Sequence, residues 1–158
     1  MQIRKGRHYC FTWRRLQPFA TKREGSLMIP LENWYDKSFV KHSGWNKLTG
    51  VGQIFGVHQN SGRLVWQPNF NKPGYFKMAG YVYSNGIRTD SIFANIKAGE
   101  WVNYRVAHNG RWEFMINGVT IRMTGIKPCL PIKLFPYFGG KDKAYYTMRF
   151  YETAHKNN

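Results

Sequence analysis

The chain has 158 residues, 42% hydrophobic and 17% aromatic, which excludes a disordered or fibrous polymer and suits one domain with a full core. Lys and Arg number 24 against 8 Asp and Glu, a formal net charge of +16, so the field favours anionic partners: nucleic acid, acidic glycan, anionic lipid or an acidic protein surface. Two cysteines, Cys10 and Cys129, are too few for a disulfide framework and lack metal-ligand spacing, although they could pair. The basic start carries no apolar stretch of about 7–15 residues, as a secretory signal would. No run approaches the roughly 20 apolar residues of a membrane span.

Residues 1–25 are basic, with Arg4, Lys5, Arg7, Arg14, Arg15, Lys22 and Arg23 and no acid before Glu24. They read equally as an arm that meets anions and as a charged edge that discourages aggregation. Within them Tyr9, Phe11 and Trp13 alternate as in a strand. Leu27, Ile29 and Leu31 mark a second strand, which Pro30 demotes to an edge or a bulge. Residues 33–50 begin with a short strand and become a loop around Ser43 and Gly44. A hairpin follows over 51–58 and 63–67, with Val57 opposite Leu64 and Phe55 opposite Trp66.

Strands over 75–84 and 87–96 flank Asn85-Gly86, and two more Asn-Gly pairs punctuate residues 101–124. Asn-Gly is the favoured chemistry of a tight hairpin turn. A two-residue turn at Asn117-Gly118 pairs Ile116 with Val119, Phe114 with Ile121 and Trp112 with Met123. A three-residue turn at His108-Asn109-Gly110 pairs Val106 with Trp112, Tyr104 with Phe114 and Val102 with Ile116. The result is a meander with an apolar face and a charged face carrying Arg105, Glu113 and Arg122. A strand over 133–138 broken by Pro136, a last strand over 145–151 and a polar tail over 152–158 complete the chain. No segment shows the 3.6-residue apolar period of an ordinary helix.

These elements predict a single all-β domain over 1–158: a two-sheet antiparallel jelly-roll β-sandwich of roughly ten to twelve strands with no substantial helix. Trp101, Tyr104 and Val106, followed by Trp112, Phe114, Ile116 and Asn117-Gly118, form a pattern similar to that of concanavalin A-like, or laminin G-like, jelly rolls. Leu134 to Gly140 and the strand after it resemble the closing strands of small proteins of this fold in gut Bacteroidetes and their tailed phages. The resemblance spans about residues 45–152. It implies fold more than function, since this architecture hosts lectins, glycan hydrolases, lyases and structural modules.

Glycoside hydrolysis needs two carboxylates flanking the bond, and no two acids here lie within three positions of one another. Glu113, between Arg105 and Arg122, reads as part of a charge ladder, because neighbouring cations favour its ionised form. Polysaccharide lyases can use a Tyr or His base with Arg neutralising the uronate. His58, Arg63, His108 and the tyrosines are of that type, yet each also suits a hairpin end. His8, His42, His58, His108 and His155 lack close metal-ligand spacing, so neither a metal nor a cofactor is expected.

The expectation is therefore a binding module rather than an enzyme. Trp45, Asn46 and His42 in a polar loop, extended by Trp34 and Tyr35, are the glycan-binding candidates; Trp13, Trp66 and Trp112 are assigned to the core, and Trp101 to one end of it. Arg4, Lys5, Arg7, Arg14, Arg15, Lys22 and Arg23 are the candidates for an anionic partner: an acidic capsid or other virion protein, an acidic glycan, or nucleic acid through charge alone. The resemblance implies a phage protein on or in the virion, present in the host cytoplasm during assembly and forming part of an oligomer or larger assembly. A carbohydrate-binding protein of a gut bacterium and a lyase-like enzyme acting on acidic glycans are the alternatives.

Overall fold

The computed structural model describes residues 1–10, 21–39, 44–139 and 142–154. Its strands in chain order are β1 (Gln2–Ile3), β2 (Lys22–Met28), β3 (Asn46–Gln53), β4 (Ser61–Pro68), β5 (Tyr75–Ser84), β6 (Ile87–Lys97), β7 (Trp101–Asn109), β8 (Arg111–Ile116), β9 (Val119–Met123), β10 (Pro131–Leu134), β11 (Met148–Arg149) and β12 (Tyr151–Ala154). Two single 3-10 turns, Leu31–Asn33 and Lys37–Phe39, are the helical segments among the described residues.

Two five-stranded antiparallel sheets pack face to face, one in the order β10-β3-β4-β5-β6 and the other β12-β2-β7-β8-β9; β1 and β11 form a separate pair. This is the predicted jelly-roll sandwich. Its turns follow from local chemistry: Asn85 and Asn117 sit at φ 51° and 47°, each followed by a glycine at positive φ, the backbone a two-residue hairpin with native twist requires.

The core is lined by aromatic rings from both sheets. Trp66 and Phe76 from the first sheet meet at 5.1 Å, and Trp112 and Phe114 from the second stack at 6.3 Å. Two inward-facing glycines let the sheets close. A Cβ on Gly62 would run into the Trp112 indole, and one on Gly80 would come within 2.6 Å of the Phe114 ring.

Several expectations need correction. The β7–β8 register pairs Val106 with Phe114 and Tyr104 with Ile116, so the turn closes tightly around Gly110. The predicted pairing is two residues off; a slip of two keeps every side chain on its face, so alternation cannot detect it. The β8–β9 pairs are those predicted, but β9 is an edge strand, and its Val119 is exposed.

The 51–58 strand is displaced: β3 starts at Asn46, carries a bulge between Lys47 and Thr49, and ends at Gln53. Phe55 then lies in the loop at 77% exposure instead of opposite Trp66. β2 ends before Pro30 and is a central strand between β12 and β7. The strand expected over 133–138 is instead β10, which starts two residues earlier, and the last strand splits into β11 and β12, of which β12 runs to Ala154, into the expected polar tail. Cys10 is buried and Cys129 exposed, both as free thiols. Trp66 and Trp112 are fully buried, while Trp101 is about half-exposed. Phe11 and Trp13 lie outside the described residues.

Candidate functional site

On the first sheet, Leu64, Trp66 and Val82 face the sandwich interior. Their neighbours Arg63, Val65, Tyr81 and Tyr83 must then face outward, because successive strand residues point to opposite sides. Pairing aligns Gly50, Arg63, Tyr81 and Asp90 in one row across four strands, and Gly52, Ser61, Tyr83 and Arg88 in the next. The β3 bulge brings Lys47 to the same face, with its Nζ 5.5 Å from the ring centres of both Tyr81 and Tyr137. Trp45 and the loop residues Val57 and His58 complete a cleft of about 320 Å³.

Arg63 is the unusual member. It is buried, and its Nε has no hydrogen-bond partner among the described residues. Gly50 stands opposite on β3, where an added Cβ would lie 2.7 Å from the Arg63 Cα and 3.0 Å from its Cγ. The missing side chain makes room for the arginine arm. Burial draws Arg63 down to about 10, with Tyr81, Tyr83 and Tyr137 opposing, so the guanidinium stays charged at neutral pH. A buried cation without a carboxylate partner is costly unless something anionic completes it.

The neighbours share this field. Burial, then the Arg63 and Arg88 charges, brings Lys47 down to about 8. Burial lowers His58 too, with Arg63 and Lys47 adding to it, which keeps its imidazole neutral at pH 7. The Tyr81 and Tyr83 hydroxyls are 3.3 Å apart. Burial and the bond to Tyr83 hold the Tyr81 phenol well above its ordinary value, so it is a proton donor. The described residues lining the cleft include Lys47, Arg63 and Arg88 and no carboxylate. Beside them Asp90 accepts a 2.9 Å bond from the Trp45 indole and lies 3.9 Å from Arg88.

Of the predicted glycan residues, Trp45 is in this cleft. Asn46 and Tyr35 are buried and bond to each other at 2.8 Å. Trp34 packs against the core, and its carbonyl accepts from Tyr146. They are structural rather than a platform, because β3 begins at Asn46 and draws that side chain inward. His42 lies outside the described residues.

Of the basic candidates, Arg4, Lys5 and Arg7 are exposed near the N-terminus, Lys22 is exposed and pairs with Glu24, and Arg14 and Arg15 lie outside the described residues. Arg23 requires correction: it is buried and bonded to Glu152 at 2.7 Å, so it faces the interior. Glu113 does lie between Arg105 and Arg122, at 3.7 and 3.3 Å. His108 contacts the Gly125 carbonyl and the Trp112 edge, a structural position.

The sequence pointed to His58 and Arg63 by position and to the tyrosines only as a class, without singling out Tyr81, Tyr83 or Tyr137, and it missed Lys47 and Arg88. The alternation of Leu64 and Trp66 with Arg63, and of Val82 with Tyr81 and Tyr83, was the available signal. Among the described residues, no group of three or more His, Cys, Asp or Glu is placed to hold a metal ion, and no helix is long and apolar enough to cross a membrane.

The sandwich carrying this cleft is similar in fold to solved polysaccharide lyases. An alginate lyase of Pseudomonas aeruginosa superposes with a TM-score of 0.54 at 12% identity, covering 84% of this chain and 64% of that one. An alginate lyase of an Alteromonas species gives 0.55 at 11%, covering 99% and 78%. A polysaccharide lyase of family 18 gives 0.53 at 13%, covering 86% and 58%. At these identities the likeness is one of fold, and the chain spans less than two thirds of the length of the first and third. No protein-family model matches the chain, and no curated protein matches it.

Proposed function

We propose that this protein binds an acidic polysaccharide, a polyuronate, in the cleft on the outer face of the β3–β6 strands and cleaves it by β-elimination. The observation that carries this reading is Arg63, a buried guanidinium with no hydrogen-bond partner at Nε and no carboxylate partner among the described residues, which lines the cleft beside the Tyr81–Tyr83 pair. A uronate carboxylate supplies the missing charge, and its neutralisation acidifies the proton on the adjacent C5. Neutral His58 is the base for that proton. As the C5–H electrons form the C4=C5 double bond, the C4–O4 bond breaks and Tyr81 gives its proton to the leaving oxygen. Lys47 and Arg88 steer the polyanion. The lyases that share the fold support this choice of substrate class.

Incubation with alginate and other polyuronates tests it. Unsaturated oligouronates, read by their ultraviolet absorbance, are expected from the wild type and lost in Tyr81→Phe. Binding without unsaturated product returns the non-catalytic glycan-binding module expected from the sequence. No binding to any polyuronate overturns both.

The biological setting is a separate proposal, supported by the sequence resemblance alone. In it the protein is carried on a tailed-phage particle and docks on an acidic capsid surface, with Arg4, Lys5 and Arg7 available as exposed cations. Mass spectrometry of purified particles tests that placement. Measuring nucleic-acid affinity against salt tests the remaining partner class, since phosphate-dominated binding falls steeply with log salt.

A further inference from the structure

Asp90 poses a problem for an anion-binding face. It is aligned across the sheet with Tyr81 and Arg63, where a carboxylate repels the substrate that the arginine attracts. Its hydrogen bond explains its presence. Asp90 Oδ2 accepts from Trp45 Nε1 at 2.9 Å, and Trp45 reaches it from the segment before β3. Between them, Val65 on β4 and Ala79 on β5 face outward by alternation and yet are both 0% exposed. The Trp45 ring packs against this small cluster. The indole therefore rests on an apolar patch with its N–H anchored on β6, and the residue retains partial exposure at the edge of the cleft.

On the reading that the cleft holds a polyuronate, we infer that Trp45 is a sugar-stacking subsite beside the reactive row, and that Asp90 is the positioning residue that fixes its orientation. An indole already anchored on this patch can meet the apolar face of a sugar ring with little further loss of side-chain entropy on binding. The Val65–Ala79 row lies two residues from the Arg63–Tyr81 row, about 7 Å along the strands, roughly one sugar unit away. One row further, Gln67, Lys77 and Asn95 are aligned across the same face. A chain leaving the indole thus meets amide and ammonium groups. The orientation matters because an unanchored Trp45 could swing off the patch and leave Val65 and Ala79 to water.

The sign of one mutation separates this role from plain electrostatics. Removing a negative charge from an anion site strengthens polyanion binding, whereas releasing the platform weakens it. Dissociation constants for a uronate oligomer long enough to span both rows are measured in a Tyr81→Phe background, where the substrate stays intact. Asp90→Ala is expected to weaken binding roughly three- to tenfold, the scale of one aromatic contact. Asp90→Asn keeps an oxygen acceptor for the indole and is expected to bind no worse than the parent. Trp45→Ala is expected to match Asp90→Ala, with no further loss in the double variant. Asp90→Ala binding as tightly as the parent or tighter, or losses that add in the double variant, overturns the positioning role while leaving the polyuronate reading intact. A parent that binds no polyuronate overturns both.

Discussion

Lys133 on one sheet and Glu152 on the other meet at 3.0 Å in the sandwich interior, each side chain about 5% exposed. Glu152 also accepts from Arg23 and from the Tyr104 hydroxyl, so one carboxylate ties β10 to β12, β2 and β7. Burial by itself pushes the Glu152 carboxyl up; Lys133, Tyr104 and Arg23 together outweigh it and bring it down to about 2. Glu152→Gln takes the shared carboxylate charge from two buried cations and should cost about 3–5 kcal/mol in denaturant unfolding. Because the folded value lies below the ordinary 4.5, the stabilisation is complete above about pH 4.5 and disappears as pH falls through about 2. The wild type should lose stability over that window more steeply than Glu152→Gln.

Arg63 has the opposite energetics. Its charge is buried without a carboxylate partner among the described residues, so Arg63→Met should leave the fold as stable as the wild type, or more stable by on the order of 1 kcal/mol. The same variant should lose polyuronate affinity and cleavage. Arg63→Lys keeps the charge but not the planar fork and should raise KM about tenfold or more. Thermal unfolding and steady-state kinetics on the same preparations check both halves. A clear loss of stability in Arg63→Met would return the residue to a structural role.

Lys47 sets an alkaline limit on binding. Held down to about 8 by burial and by Arg63 and Arg88, its ammonium loses its proton as pH rises through that value, and the cleft loses a positive charge. Polyuronate affinity should therefore fall between about pH 7 and 9. Lys47→Arg, which stays protonated throughout, should flatten that fall. Titrations across the range at constant ionic strength read it directly.

The inter-sheet spacing rests on the two inward glycines. Gly62→Ala presses a methyl into the Trp112 ring and Gly80→Ala presses one against Phe114. Each should destabilise by about 1–3 kcal/mol, the cost of overpacking a close-packed core. Chemical denaturation should show the loss with little change in m-value. Gly99→Ala is the contrasting case: no heavy atom lies within 4 Å of the added Cβ, so its cost should come from the positive φ of 79°.

How far the chain could be read in advance follows the range of the forces involved. The hairpins at Asn85-Gly86 and Asn117-Gly118 are local, since two residues carry the positive φ and the flanking alternation carries the register. Where alternation alone had to set the register, at Gly110, an even slip went unseen. The β3–β4 hairpin failed for a different reason: Ile54, Phe55 and Val57 read as strand by alternation, yet β3 ends at Gln53 and Ile54 and Phe55 are exposed in the loop that follows.

The amino-acid sequence by itself determined the all-β class, the tight turns, most of the meander's apolar face and the excess of positive charge, because each is written in neighbouring residues. The tertiary structure decided where the charges lie. It buried Arg23 against Glu152, folded Trp34, Tyr35 and Asn46 into the interior, and gathered Trp45, Lys47, Arg63, Tyr81 and Arg88 onto one sheet face. Those five residues come from four strands and one preceding loop. Their encounter depends on strand order and on burial from water, which only the packed sandwich supplies.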